Sequence, residues 1–245
     1  VWHGKTIAVV LPTYRERDSI AQCIKGFEAL GIVDDILVVN NNAQEGTSAE
    51  VARTSAREVL EPLQGYGAAI RRGLREVDTD LVCICEPDNT FDPADLLKLL
   101  PFTRECEVVL GSRTVSTFIW SGANMDWFLR WGNWAVAKLI EVLFNTAYLS
   151  DVGCTFRVMS RACVERITPG FESNGSRFGL EMQVLCAVNE EPMVQVPVNY
   201  HPRVGESAVT GDRKKAWDLG IEMIGVVLRT RLHRTQVRAR LGTRS

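Results

Sequence analysis

Glu86 and Asp88 stand two residues apart in L-V-C-I-C-E-P-D-N-T-F, the run from Leu81 to Phe91, directly after an unbroken apolar stretch. An apolar run closed by a turn reads as a buried strand, so both carboxylates fall at its carboxyl end, where open α/β sheets hold their ligands. A carboxylate pair with this spacing can ligate one hard divalent cation, and Mg²⁺ held this way keeps waters and bridges to substrate phosphates. The chemistry implied is a nucleoside-diphosphate site. The structural alternative is capping, since Asp92-Pro93 has the form of the N-cap and first turn of a following helix.

Such a pair needs a sheet to hold it, and the hydrophobic periodicity supplies one. Ile7 to Leu11 reads as a strand ended by Pro12-Thr13-Tyr14, and Asp18 to Leu30 as a helix through Ile20, Ile24, Phe27 and Leu30. Ile36 to Val39 is a second buried strand ending in Asn40-Asn41-Asn42, and Thr47 to Arg57 reads as helical. Gly65-Tyr66-Gly67 opens a helix to about Val77, Leu81 to Cys85 is the strand before the acidic pair, and Asp95 to Leu100 is a short helix. Val108 to Leu110 adds a strand ended by Gly111-Ser112-Arg113. This alternation predicts an α/β fold with a Rossmann-like, mostly parallel sheet flanked by helices on both faces.

The second half has a different texture. Met125 to Phe144 is rich in tryptophan, and Trp127, Trp131, Trp134 and Leu139 share one helical face, which predicts a core helix or an aromatic surface for a membrane or an apolar acceptor. Trp120 and Phe118 precede it in a loop. Phe178 to Val188 reads as a helix, Met193 to Val198 as a strand and Ala216 to Arg231 as an amphipathic final helix. The expected organisation is one domain over 1–232 and a basic, flexible tail over 233–245.

Composition narrows the function classes. The 245 residues carry a net charge of −2 and a pI near 6.0, so the global balance asks for no nucleic-acid partner. Charge is nonetheless uneven: Arg229, Arg231, Arg234, Arg238, Arg240 and Arg244 follow the last acidic residue, Glu222. They suit an anionic membrane surface, or simply the C-terminus of a helix. Seven scattered cysteines without a C-x-x-C pair read as reduced core residues of a cytosolic protein, and three distant histidines argue against zinc. No leader pattern opens the sequence and no run of about 18 uncharged apolar residues occurs. The expectation is a cytoplasmic protein, soluble or peripheral at the inner face of the cell membrane.

Four expected strand ends carry polar groups: Thr13 to Glu16, Asn40 to Asn42, Glu86 to Asn89, and Ser112-Arg113. Each has a structural alternative as a helix entry or a turn. Together they outline a nucleotide site. The Gly65-Tyr66-Gly67 element is neither a Walker loop nor a G-x-G-x-x-G fingerprint, and no G-K-[ST] occurs, so kinase and dinucleotide readings lose ground.

The motifs in order are P-T-Y-R-E (Pro12 to Glu16), V-V-N-N-N with Gly46-Thr47, Gly65-Tyr66-Gly67, E-P-D-N-T, G-S-R, D-V-G-C-T-F-R (Asp151 to Arg157) and R-V-G-E-S (Arg203 to Ser207). Over about residues 5 to 230 this series resembles the family 2 glycosyltransferases of GT-A fold, particularly their dolichol-phosphate mannosyltransferase-like, polyprenyl-phosphate branch. The resemblance implies that Pro12, Tyr14, Glu16 and Asn40 contact the nucleobase and ribose, while Gly65 and Gly67 read equally well as letting the backbone approach a ligand or as a helix-entry turn. It maps the family's D-x-D metal motif onto Glu86 and Asp88, for Mg²⁺ or Mn²⁺, and assigns Arg113 and Arg203 to phosphate neutralisation. The chain departs from the family where Asn40 and Asn41 stand in place of aspartate, where Thr90 replaces glutamine, and where Ala208 replaces a lysine, for which Arg213, Lys214 or Lys215 could substitute.

Asp151 and Glu181 are the candidate acids for positioning or base catalysis. Their structural alternatives are a turn cap before Gly153 and a cap or buried ion pair within F-G-L-E-M-Q. The function implied is inverting, metal-dependent transfer of a hexosyl group from GDP-mannose or a UDP-sugar to a polyprenyl phosphate. The alternatives are a soluble transferase with a small-molecule natural-product acceptor, and a nucleotide-sugar binding module without turnover.

Overall fold

Every residue from Ile7 to Thr13 is buried, which places this strand, β1, inside the sheet with helices over both of its faces. The computed structural model describes residues 1–204 and 213–242. In chain order, β1 is followed by α1 (Arg17–Glu28), β2 (Asp35–Asn40), α2 (Thr47–Val51), β3 (Arg57–Leu60), α3 (Tyr66–Glu76), β4 (Leu81–Ile84), α4 (Leu96–Leu99) and β5 (Val108–Ser112). Then come α5 (Trp127–Phe144), β6 (Arg157–Ser160), α6 (Arg161–Ile167), α7 (Phe178–Val188), β7 (Met193–Pro197), α8 (Arg213–Leu232) and α9 (Arg234–Leu241).

The described residues build one seven-stranded sheet in the order β3-β2-β1-β4-β6-β5-β7. β6 runs antiparallel to both β4 and β5, and the other pairings are parallel. Thr13 pairs with Asn40 and Val10 with Ile84, so the ends of β1, β2 and β4 lie side by side.

Strand alternation divides the core into two layers. Ala8, Val10, Leu37, Val39, Val82 and Ile84 face α3, α5, α6 and α7, whereas Ile7, Val9, Leu11, Val38 and Cys83 face α1 and α4. The cysteines are free, and all but the half-buried Cys106 are buried.

Three expectations need correction. The helix expected over Thr47 to Arg57 ends at Val51, and Arg57–Leu60 forms the edge strand β3. R-E-V-L carries no continuous apolar run because an edge strand need not be buried, and Arg57 is tied instead to Asp35 by two hydrogen bonds of 2.9 and 2.8 Å. The tail expected over 233–245 is helical across Arg234–Leu241, because Leu241 is buried and Val237 packs on the core. The tryptophans of α5 do not enter the core. Val136, Ala137, Ile140 and Phe144 do, leaving Trp127, Trp131 and Trp134 72%, 58% and 44% exposed. No helix among the described residues is long and apolar enough to cross a membrane.

Gly73 shows how tightly α3 sits on the sheet. A Cβ there would overlap Val10 Cγ1 and stand 3.1 Å from Val39 Cγ2, and valine side chains are stiff at χ1. Gly73→Ala gains about 1 kcal/mol of helix propensity but incurs an overpacking cost of about 1–3 kcal/mol. The variant should lower the midpoint of urea unfolding, and an unchanged or raised midpoint would show that α3 can shift freely.

Candidate active site

The sheet brings together most of the residues singled out by sequence. A cleft of about 810 Å³ opens beyond the carboxyl ends of β1, β4 and β5, lined by Pro12, Tyr14, Glu16, Gly65, Glu86, Asp88, Arg113 and Arg203. Its other wall is apolar, formed by Met125, Phe128, Leu129 and Val136 at and before α5, and by Trp217, Ile221, Met223 and Ile224 of α8.

Each polar element has a local cause. Glu16 organises the loop after β1: its Oε2 accepts from the backbone N–H groups of Tyr14 and Arg15 at 2.7 and 2.8 Å and from Thr13 Oγ1 at 3.2 Å. Its Oε1 faces outward and accepts from Arg203 Nη2 at 3.0 Å. Asp88 is 1% exposed, and its Oδ1 accepts from the N–H and hydroxyl of Thr90 at 2.9 and 2.6 Å. Thr90, which takes the place of the family's glutamine, therefore fixes the Asp88 rotamer and leaves Oδ2 directed to Arg203 Nη1, 3.3 Å away. The backbone bonds His201 N–H to Thr90 O (2.8 Å) and Val204 N–H to Asp88 O (3.1 Å) pin the arginine segment along this loop. Ser19 at the start of α1 secures the same loop by donating to Pro87 O at 2.6 Å.

The electrostatics point one way. Burial, and then the neighbouring Asp88, push the Glu86 carboxyl up to about 7, with Arg203 pulling in the opposite direction. Burial also raises the pKa of Asp88 despite Arg203 and the Thr90 hydrogen bonds. Around Arg203 stand Glu16, Glu86 and Asp88, and these carboxylates raise its pKa against the opposing effect of burial. Three carboxylates around one guanidinium leave the site short of positive charge. The donor set of Glu86 and Asp88 thus fits a hard divalent cation, although no cluster of three or more His, Cys, Asp or Glu ligands occurs among the described residues.

Arg113 and Asp151 form a second, buried pair. Arg113 Nε and Nη2 donate to Asp151 Oδ2 and Oδ1, both at 3.0 Å, and the Arg113 N–H adds a third bond at 2.9 Å. Gly153 N–H completes the shell at 2.9 Å, and the guanidinium lies over the Tyr200 ring, 5.3 Å from its centroid. Burial alone would raise the Asp151 pKa, but the charge and hydrogen bonds of Arg113 outweigh it and hold the carboxyl below its ordinary range. With both oxygens occupied, Asp151 positions Arg113 and does not line the cleft.

Besides Asp151, two expected site residues lie outside the cleft lining. Asn40 bonds to Ser48 and Glu58 at the sheet edge and accepts from Ala43 N–H, outside the cleft lining. Asn41 takes the position beside the cleft, its Oδ1 accepting from Gly65 N–H at 2.8 Å and its Nδ2 donating to Glu61 O and Leu63 O. Glu181 accepts from the Glu172 and Ser173 N–H groups at 2.7 and 2.9 Å and also lies outside the lining. It holds the loop whose Asn174 meets the start of α3: a Cβ at Gly65 (φ +148°) would overlap Asn174 O, so that position favours glycine. Arg157, Tyr66 and Asn41 line the cleft, although the sequence motifs that contain them gave them no role of their own. Arg157 is 2% exposed and donates to Gly179 O and Cys154 O, a buried cation held by carbonyls, and its one signal was its place in D-V-G-C-T-F-R. The remainder of R-V-G-E-S from Gly205, together with Ala208 and the side chains of Arg213, Lys214 and Lys215, lies outside the described residues.

The Arg113–Asp151 pair sets an acid limit on stability. Because the native pKa of Asp151 lies below its unfolded value of about 3.9, its contribution is complete above that value and disappears as pH falls through the depressed native one. Asp151→Asn should cost about 3–5 kcal/mol at neutral pH. It should also flatten the loss of stability below about pH 4 when urea unfolding is followed across pH. Parallel curves for the two proteins would contradict the pairing.

The sequence pattern described as Glycosyl transferase family 2 matches residues 8–168. The low-salt glycan biosynthesis hexosyltransferase Agl6 of Haloferax volcanii is 30% identical over 209 residues, covering 82% of this chain and 49% of Agl6, so the chain spans about half the length of that relative. The undecaprenyl-phosphate mannosyltransferase of Micrococcus luteus is 26% identical over 219 residues, covering 84% of this chain and 88% of that protein. In fold, the chain is similar to glucosyl-3-phosphoglycerate synthase from Mycobacterium tuberculosis, crystallised with Mn²⁺ and UDP-glucose: the TM-score is 0.67 at 18% identity, covering 99% of this chain and 81% of the synthase. With its α/β sheet of GT-A type and the family pattern running from β1 through α6, the chain belongs to glycosyl transferase family 2.

Proposed function

We propose that the chain transfers a hexosyl group, with inversion, from a nucleoside-diphosphate sugar to a polyprenyl phosphate at the cytoplasmic face of a membrane. The observation that carries this reading is the two-sided cleft, in which carboxylates and arginines at the strand ends face an apolar wall from α5 and α8. A phosphate headgroup fits the first side and an isoprenoid chain the second. The Micrococcus relative, named for undecaprenyl phosphate and mannose, supports the acceptor class and mannose as the sugar transferred.

Pro12 and Tyr14, on the loop shaped by Glu16, border the space for base and ribose, with Asn41 rather than Asn40 on the neighbouring strand end. Glu86 and Asp88 would hold Mg²⁺ or Mn²⁺, and the cation, when bound, supplies Lewis-acid neutralisation of the departing diphosphate. Arg203, held by Glu16 and Asp88, and Arg113, oriented by Asp151, present planar guanidinium donors to phosphate oxygens. Their positions are fixed before substrate arrives, so little reorganisation accompanies charge development.

A dedicated general base is dispensable for this acceptor. Glu86 and Asp88 are assigned to the cation, Glu16 and Asp151 have their oxygens engaged, and Glu181 lies outside the cleft. A phosphate acceptor is already ionised at neutral pH and attacks the anomeric carbon unaided, whereas a hydroxyl needs a base. A second reading, transfer to a small anionic acceptor, is favoured by the likeness to glucosyl-3-phosphoglycerate synthase and would pair with a UDP-sugar.

The test is turnover of GDP-mannose and UDP-glucose with Mn²⁺, with and without a short polyprenyl phosphate. Lipid-dependent transfer is expected; transfer only to water-soluble acceptors would move the assignment to the second reading. Asp88→Ala should lower kcat at least about 100-fold, and EDTA should abolish turnover in a manner reversed by Mn²⁺. Arg203→Lys should lose most of the activity as well, because an ammonium cannot serve two carboxylates and a phosphate in one plane. Full activity in EDTA would remove the metal from the account.

A further inference from the structure

A second groove of about 560 Å³ lies on the other side of the N-terminal half of α5, and the proposed transfer does not use it. Its walls are aromatic: Trp127, Trp131 and Trp134 project from successive turns of α5, opposite Tyr148. Tyr148 is fixed in place. Lys138 Nζ sits 3.6 Å from its ring centroid and donates to Glu141 Oε2 at 2.7 Å, and the same oxygen accepts the Leu149 N–H at 3.1 Å.

The floor is polar, and its hydroxyls are hydrogen-bonded to one another and to Gln195. Ser112 Oγ lies 2.9 Å from Thr114 Oγ1, Thr114 Oγ1 donates to Ser150 Oγ at 3.0 Å, and Ser150 Oγ donates to Gln195 Oε1 at 3.2 Å. Gln195 is itself committed: its Oε1 also accepts from the Ser150 and Asp151 N–H groups, and its amide donates to Asp151 O. Each hydroxyl can donate only once but has two acceptor lone pairs, so acceptor capacity remains along this chain, while Arg130, which also lines the groove, adds N–H donors. A ligand rich in hydroxyls, which both donate and accept, suits such a lining. Acyl chains would leave its polar groups unsatisfied.

Flat aromatic walls above a hydroxyl floor match the two surfaces of a pyranose ring, whose C–H face packs on an indole while its hydroxyls donate below. We propose that this groove is a saccharide subsite, separate from the space for the donor sugar. It is coupled to the cleft in two ways. Trp131 borders both cavities, so a saccharide in the groove reaches the edge of the cleft. Ser112 and Ser150, 2.9 Å apart, immediately precede Arg113 and Asp151, so the same two dipeptides are joined by hydroxyls on the groove side and by the ion pair on the cleft side. The subsite holds a pyranose unit of a glycan, which a bare polyprenyl phosphate does not carry, so it is separate from the transfer proposed above.

Saturation-transfer NMR on the full chain tests this with methyl α-D-mannopyranoside, methyl β-D-glucopyranoside and methyl N-acetyl-β-D-glucosaminide, without nucleotide. At least one glycoside should receive saturation. Trp134→Ala and Thr114→Val, both confined to the groove, should weaken its binding ~10-fold or more, while thermal unfolding and GDP or UDP binding stay as in the wild type. No transfer to any glycoside, or transfer undiminished in both variants, overturns the proposal. So does a tryptophan emission shift with phosphatidylglycerol vesicles in the absence of any glycoside signal, which would make the aromatic face a bilayer contact. Turnover of the nucleotide sugar, measured in parallel, separates the two readings: glycoside binding without turnover removes the transferase mechanism and keeps the groove, and turnover without glycoside binding does the reverse.

Discussion

Arg203 lies between Glu16 and Asp88, 3.0 Å from one and 3.3 Å from the other, and the cleft depends on that contact. It joins three parts of the chain far apart in sequence: the loop after β1, the acidic loop after β4, and the segment that leaves the sheet beyond β7. One guanidinium cannot neutralise three carboxylates removed from water: burial first, and then the neighbouring carboxylates, raise the pKa values of Glu86 and Asp88 despite Arg203. A site left in this condition favours whatever brings positive charge. Glu86 and Asp88 would hold a divalent cation, which would supply that charge, and Arg113 and Arg203 would face the diphosphate of the donor. Stability is therefore given up locally for a preorganised charge pattern, as expected where function and not packing sets the residue types.

The second pair has a different balance. Arg113 and Asp151 are matched in charge, satisfied by four hydrogen bonds to the carboxylate, and stacked on Tyr200. Such a pair contributes orientation more than net stability, since desolvation offsets most of the Coulombic gain. Its two partners sit at the end of β5 and in the loop before β6, so it also ties together the part of the sheet where one antiparallel strand interrupts the parallel order.

Much of this was legible in the sequence, for identifiable physical reasons. β1, β2, β4 and β5 are buried on both faces and show as continuous apolar runs, so their ends, and with them Pro12 to Glu16, Glu86, Asp88 and Arg113, could be placed beforehand. β3 and β6 could not be seen: one is a partly exposed edge strand and the other, Arg157–Ser160, is too short to carry a period. Asn40 and Asn41 were equivalent in sequence, and only the alternation of side chains at the end of β2 turns the first to Ser48 and the second to Gly65. The tryptophans of α5 shared a helical face as expected, but periodicity does not say which face turns inward, and Val136, Ala137, Ile140 and Phe144 offered a second apolar stripe that packs more closely. The aromatic surface left outside is what makes α5 a wall for two cavities.

The central claim is that the carboxylates around Arg203 are completed by a cation together with a nucleoside diphosphate, and the most direct measurement is calorimetric titration of GDP and UDP into the protein with Mn²⁺ and with EDTA. Binding of the metal and of the nucleotide must then be reciprocally coupled, so at least one nucleotide should bind much more tightly with Mn²⁺ present, and Asp88→Asn should remove the difference. Equal nucleotide affinity with Mn²⁺ and with EDTA, unchanged in Asp88→Asn, would contradict the account.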